Sequence, residues 1–292
     1  MRALLPLSIL LLVGCTFGGT ASTPATTQSV GQGGGGSSGS GGSSGSGGGS
    51  GSPAPPPTSG PVVPVNPAGI WDLSGTINSN PVVEVALIAN GKYYALAATD
   101  PFGCPDITAG TYMAASGVYA GTGFKGSGIT QLLNGCSAPA GQSGNLAYTL
   151  NGSLMGTSLN LSFDLGGNLI PALGATMDKL YGEPSSLATL AGNWNDAGNT
   201  LTINPDGTFF EQQGMGCVLN GAYAIIDATH NLYGVSFEVS NCASAIAGIA
   251  FTGLGYLDDT DASAVHFVQV LSGPDPANTG AVVLISGNLT VQ

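Results

Sequence analysis

Hydrophobic and polar positions divide the chain into three stretches with different rhythms. Ala3 to Val13 is an apolar run broken only by Pro6 and Ser8. Eleven helical residues would reach roughly 16 Å, short of a bilayer core of about 30 Å, so the run predicts a cleaved leader rather than a membrane span. Thr16 to Ser29 is rich in Thr, Ser and Ala, Gly31 to Ser52 is almost wholly Gly and Ser, and Pro53 to Pro67 is rich in Pro. No apolar period runs through them, and such segments bury too little surface to offset their ordering entropy. From Pro67 onward, strand formers alternate with polar residues between Gly, Asn and Asp turns, and long Ala/Leu/Glu/Lys stretches are missing. That pattern predicts β structure.

The β-rich part repeats itself. Ala68-Gly69-Ile70-Trp71-Asp72 corresponds to Ala191-Gly192-Asn193-Trp194-Asn195. Leu87-Ile88-Ala89-Asn90-Gly91-Lys92-Tyr93-Tyr94 corresponds to Ile203-Asn204-Pro205-Asp206-Gly207-Thr208-Phe209-Phe210. Each reads as strand, Asn-Gly or Asp-Gly turn, aromatic strand, which is a hairpin signal. Alternation places one ring of each aromatic pair inside and one outside. Phe102-Gly103-Cys104 and Met215-Gly216-Cys217 follow, then Asn134-Gly135-Cys136 and Asn241-Cys242, then strand pairs over Asn145–Asp164 and Gly248–Leu271. Order is kept but spacing is not: Trp to first Cys is 33 residues in one copy and 23 in the other. The expected fold class is all-β, two tandem small antiparallel barrels or sandwiches after a disordered tether. The expected divisions are a signal peptide at 1–14, lipidated Cys and tether at 15–66, and β-domains at 67–188 and 189–292.

Charge narrows the function. Residues 16 to 69 carry no charged side chain, and all sixteen acids lie between Asp72 and Asp275. The basic residues are Arg2, Lys92, Lys125 and Lys179, so loss of Arg2 with the leader leaves a net charge of −13. Nucleic acid and direct adhesion to an anionic lipid surface are both disfavoured, because each needs clustered Lys and Arg.

Leu12-Val13-Gly14-Cys15 resembles the lipobox of bacterial lipoproteins. The resemblance implies cleavage before Cys15 and a diacylglycerol thioether on its sulfur. Buried acyl chains contribute roughly 0.8 kcal/mol per CH₂, so two or three hold a protein to a membrane. Thr16 follows, not Asp, which by resemblance to Gram-negative sorting points to the outer membrane, at the cell surface or the periplasmic face. About fifty tether residues would give an r.m.s. reach of roughly 40 Å. Gly69-Ile70-Trp71 and Gly192-Asn193-Trp194 resemble the first strand of lipocalin-like barrels. The plan as a whole resembles surface lipoproteins of the transferrin-receptor and factor-H-binding type.

Five Cys are present. Lipid on Cys15 leaves four, with three pairings, and the repeat selects Cys104–Cys136 and Cys217–Cys242. A zinc site lacks the C-x-x-C spacing.

Catalytic constellations are sparse. His230 lies in a turn-like string and His266 in a strand, and the first copy has no His. Asp258-Asp259-Thr260-Asp261 offers three carboxylates, a weak candidate for Ca²⁺, without the Gly and distal Glu of an EF-hand. The first copy's corresponding turn, Met155-Gly156-Thr157-Ser158, has no acid. Gly121-Thr122-Gly123-Phe124-Lys125-Gly126 matches G-x-G-x-x-G without the following helix a dinucleotide needs, and Gly41-Gly42-Ser43-Ser44-Gly45 matches a hydrolase elbow only by low complexity. Trp71 and Trp194 are expected to plug a barrel end or line a ligand. The sequence therefore predicts no cofactor and no enzyme. It predicts a membrane-anchored interaction module for a protein, a glycan or a small apolar ligand. The alternatives are a structural or assembly lipoprotein and, third, a hydrolase, which would need a cleft with converging polar groups and a perturbed carboxyl.

Overall fold

The computed structural model describes residues 66–77, 80–97, 106–114, 123–132, 145–165, 167–214, 216–242, 246–260, 264–275 and 282–292. The leader, Cys15 and the tether expected at 15–66 lie outside these residues, save Asn66.

Within each of two barrels the strands run in sequence order, each antiparallel to the next, and the last closes on the first. The first barrel comprises β1 (Gly69–Ile77), β2 (Asn80–Ala89), β3 (Lys92–Ala97), β4 (Asp106–Ala114), β5 (Gly123–Leu132), β6 (Asn145–Met155), β7 (Ser158–Leu165) and β8 (Asn168–Met177). It closes through four residue pairs between β1 and β8, from Trp71↔Met177 to Ser74↔Gly174. A 3₁₀ turn (Lys179–Gly182) and a short helix α1 (Leu187–Leu190) lead into the second barrel. It comprises β9 (Gly192–Asp196), β10 (Asn199–Ile203), β11 (Thr208–Gln212), β12 (Val218–Ile225), β13 (Tyr233–Ser240), β14 (Ala250–Asp258), β15 (His266–Pro274) and β16 (Val282–Val291). Its closing seam is thinner, two pairs between β16 and β9: Thr290↔Asn195 and Val291↔Trp194. The all-β expectation holds, and of the two architectures the pattern allowed, the chain forms barrels. Closure pairs the edge strands that an open sheet would expose.

Strand pairing makes the repeat exact in register. Trp71 lies beside Ala86, and Ala86 beside Ala95. Trp194 likewise lies beside Leu201, and Leu201 beside Glu211. The hairpins differ by one residue. Asn90 (φ 50°) and Gly91 (φ 74°) form a two-residue turn closed by Ala89↔Lys92. In the second copy Asn204 N–H donates to Thr208 O across a three-residue loop ending at Gly207 (φ 86°). Hence Ile88, not Leu87, is the counterpart of Ile203: each pairs with the inward aromatic, Tyr93 or Phe209. Loop length fixes turn type, and the extra residue shifts one strand of the alignment.

Alternation sorts the side chains. On β13, Tyr233, Val235, Phe237 and Val239 are buried while Ser236 and Glu238 are exposed. Around Phe267, Tyr223 lies 4.9 Å, Tyr233 5.6 Å and Trp194 6.5 Å away, all edge-on. Gly221 on β12 is a notch for this packing: a Cβ there would meet the Phe209 ring and the Phe237 Cβ at 2.5 Å. In the first barrel Tyr93, Tyr148 and Phe163 interlock with centroids 5.5–6.5 Å apart.

Outward faces are not all wet. Ile70, Leu87, Ala89 and Tyr94 from β1–β3 form an apolar cluster with Leu254, Tyr256, Val268 and Val270 from β14 and β15, joined by Leu180 and Leu232. Tyr94 Oη donates to Thr252 O (3.0 Å), and Lys92 Nζ to Thr252 Oγ1 (3.2 Å). The barrels are thus packed wall to wall within one compact unit. The connecting segment is tied to both: Asp178 N–H donates to Ile70 O, and Ser186 N–H to Tyr233 Oη.

Candidate functional site

The two tryptophans do the same thing in each barrel. Trp71 is fully buried and its Nε1–H donates to Pro67 O (2.9 Å). Trp194 is 2% exposed and its Nε1–H donates to Leu190 O (2.8 Å). Each indole sits on a closing strand, satisfies its one donor on a carbonyl four residues earlier, and otherwise belongs to the apolar core. A buried indole needs such a partner, and the bond fixes the segment entering each barrel.

Cys217 and Cys242 are disulfide-bonded, with Cα atoms 4.4 Å apart, across the ends of β12 and β13 next to the pair Val218↔Ser240. Cys104 and Cys136 lie outside the described residues. They flank β4 and β5, the equivalents of β12 and β13.

Asp258, which ends β14, is buried, and its Oδ1 accepts from Thr260 N–H (3.0 Å) and Thr260 Oγ1 (2.6 Å). It organises a turn. Asp259 is exposed, and Asp261 lies outside the described residues. Among the described residues no group of three or more His, Cys, Asp or Glu is placed to hold a metal ion. His230 Nδ1 lies 2.9 Å from Asp227 Oδ2, and its ring stacks on Tyr181 at 4.2 Å. His266 Nδ1 lies 3.0 Å from Asn288 Oδ1. Both histidines are tied to neighbouring side chains. Gly123 to Gly126 of the G-x-G-x-x-G string lie in strand β5, not before a helix.

The chemically unusual cluster lies in the second barrel, outside every sequence motif named above. Asp196 on β9 and Glu211 on β11 point into the second barrel, 2% and 0% exposed. Their carboxyls are within hydrogen-bonding reach of each other. Gln213 Nε2 donates to Glu211 Oε1 (3.2 Å), and Tyr223 Oη donates to Gln269 Oε1 (3.4 Å) nearby. Asp196 Oδ1 and Glu211 Oε2 are buried with no conventional donor. Burial, then the Asp196 charge, pushes the Glu211 carboxyl up to about 8. Burial pushes Asp196 up to about 6. Burial and both carboxyls raise the Tyr223 phenol as well. Two buried carboxyls side by side cannot both ionise cheaply, which favours a protonated form of the pair. The first barrel has Leu73 and Ala95 at the equivalent places, both buried and apolar.

The pair borders a cavity of about 30 Å³, lined also by Gln213, Phe237, Gln269 and Ile285. A water needs at least ~10–15 Å³ by the same measure, so one or two waters fit and a lipid or sugar does not.

A sequence signal did exist. Phe209, Glu211 and Gln213 share a face of β11, and Trp194 and Asp196 share a face of β9, so an inward aromatic carries the acid inward with it.

No family model, no curated protein and no solved structure matches the chain. Fold and interior define a tandem pair of eight-stranded up-and-down β-barrels, the second with two buried carboxyls, Asp196 and Glu211, side by side in its core.

Proposed function

We propose that the chain is a membrane-anchored lipoprotein of the bacterial envelope or surface, held through lipid on Cys15, whose double barrel is an interaction module for a protein or glycan. One observation carries the choice of partner: the cavity in the second barrel, at about 30 Å³, is too small for an apolar ligand. On this reading a partner of the second barrel is met on its outer wall and loops. The Leu12-Val13-Gly14-Cys15 string and the uncharged Gly/Ser/Pro stretch behind it support the anchor and tether, with the outer membrane as the site of attachment. The apolar cluster shared by the two barrel walls also favours a second reading, a structural or assembly lipoprotein whose partner is another envelope protein.

The test is capture by the immobilised full chain of envelope proteins and of arrayed glycans, beside titration with a fluorescent fatty acid. The proposal expects a saturable macromolecular partner and no fatty-acid binding. Capture of an envelope protein alone favours the assembly reading. Saturable fatty-acid binding with no macromolecular partner overturns the proposal.

A further inference from the structure

The geometry points to a proton-operated latch in the second barrel: one proton held between Asp196 and Glu211 keeps the β9–β16 seam shut, and its loss loosens that seam. This inference stands independently of the proposed function.

Three observations converge on it. First, no internal cation can neutralise the pair. No Lys or Arg follows Lys179 in the sequence, so the second barrel has no permanently positive side chain. The groups facing the pair are Tyr223 on β12, whose own ionisation is suppressed, and the uncharged Gln213 after β11 and Gln269 on β15. Leu201 on β10, Phe237 on β13 and Ile285 on β16 complete the wall with hydrocarbon. An ionised carboxylate there needs a proton to neutralise it, because hydrocarbon neither solvates nor screens charge. Second, Asp196 lies beside the thinner closure, which Gln292 N–H extends by one bond to Asn193 O. β9 meets β16 through two residue pairs, and Asp196 is the residue immediately after the second of those β9 positions, Asn195. The first barrel closes through four pairs with Leu73 on the equivalent strand. Third, the cavity beside the pair gives water a place to enter once the carboxylates need solvating.

The direction of the effect follows from the folded values. Both carboxyls are raised, Asp196 to about 6 and Glu211 to about 8. Unfolded, both ionise in the ordinary range near 4. Their contribution to stability is complete below that range and is lost as pH rises through about 8. Ordinary carboxyls ionise near 4, and the variants below keep every acid outside the pair, so their comparison with the wild type from pH 6 to 9 reads the pair. Comparison with a variant that keeps His230 and His266 cancels the histidines.

Hydrogen exchange of the full chain between pH 6 and 9, corrected for the intrinsic rate, reads the latch directly. In the wild type, protection across Gly192–Asp196 and Val282–Val291 should fall roughly tenfold or more, the equivalent of one pKa unit, while Gly69–Ile77 stays level. Glu211→Gln should hold the fall to about twofold on the same scale. If that variant does not fold, Asp196→Asn is read in its place. The double change Asp196→Leu/Glu211→Ala, which copies the first barrel, should abolish the pH dependence. Level protection in the wild type overturns the proposal, and so does an equal fall in the variants. Recovery of protection at pH 9 by millimolar calcium in the wild type alone also overturns it, since a cation rather than a proton would then be closing the pair.

Discussion

At the residue scale the molecule depends on a few positions where alternation meets an awkward group. Replacing Trp194 by Phe removes the indole donor and leaves Leu190 O buried without its partner. We predict a loss of about 1–3 kcal/mol in chemical denaturation, with the same order of loss for Trp71→Phe because the bond is repeated at Pro67. Gly221→Val should cost about 1–3 kcal/mol by overpacking, since its side chain would enter the space of Phe209 and Phe237. An unchanged midpoint in that variant would mean the notch is not filled as described. The carboxyl pair was legible in principle, because Glu211 lies two residues from an inward Phe209. It escaped motif reading because the equivalent positions in the first copy are Leu73 and Ala95, and because a three-acid turn draws the eye to Asp258 instead. That turn is explained by one aspartate capping Thr260.

At the element scale, sequence reasoning fared best where the signal is local. Asn90-Gly91 and Asp206-Gly207 announced hairpins, and the strand pairs expected over Asn145–Asp164 and Gly248–Leu271 are β6–β7 and β14–β15. The one-residue difference between the two hairpins was not legible, because both turns end in Gly and only the pairing partners distinguish them. The Cys217–Cys242 bond formed as the repeat implied. It closes a loop of sequence separation 25, and on the chain-entropy model its removal in a Cys217→Ser/Cys242→Ser variant costs roughly 3.5 kcal/mol. A loss below about 1 kcal/mol would place the hairpin's stability in packing rather than in the crosslink. Peptide mapping without reduction should recover Cys104 linked to Cys136, and a peptide crossing between the two copies would break the repeat.

At the scale of the whole molecule, the fold class was written in the alternation, but the choice of barrels over sandwiches was not. Closure depends on which distant strands meet, β1 with β8 and β16 with β9, and no local pattern encodes that. The wall between the barrels was hidden for the same reason. Leu254, Tyr256, Val268 and Val270 leave β14 and β15 apolar on both faces, which reads as a generic buried strand until the partner wall is seen. This wall makes a prediction: Leu87→Asp places a charge in it, and calorimetry should then resolve two unfolding transitions where the wild type shows one. A single transition in both proteins would mean the barrels unfold together without help from that surface.

The proposed lipid anchor would hold this double barrel to a membrane through one sulfur, that of Cys15. Intact-mass and N-terminal peptide spectrometry of the protein extracted from its native cell tests that attachment most directly. The predicted result is a chain that begins at Cys15 and carries acyl chains on it. A chain that retains Met1 to Gly14, or one that begins elsewhere with an unmodified Cys15 thiol, would contradict it.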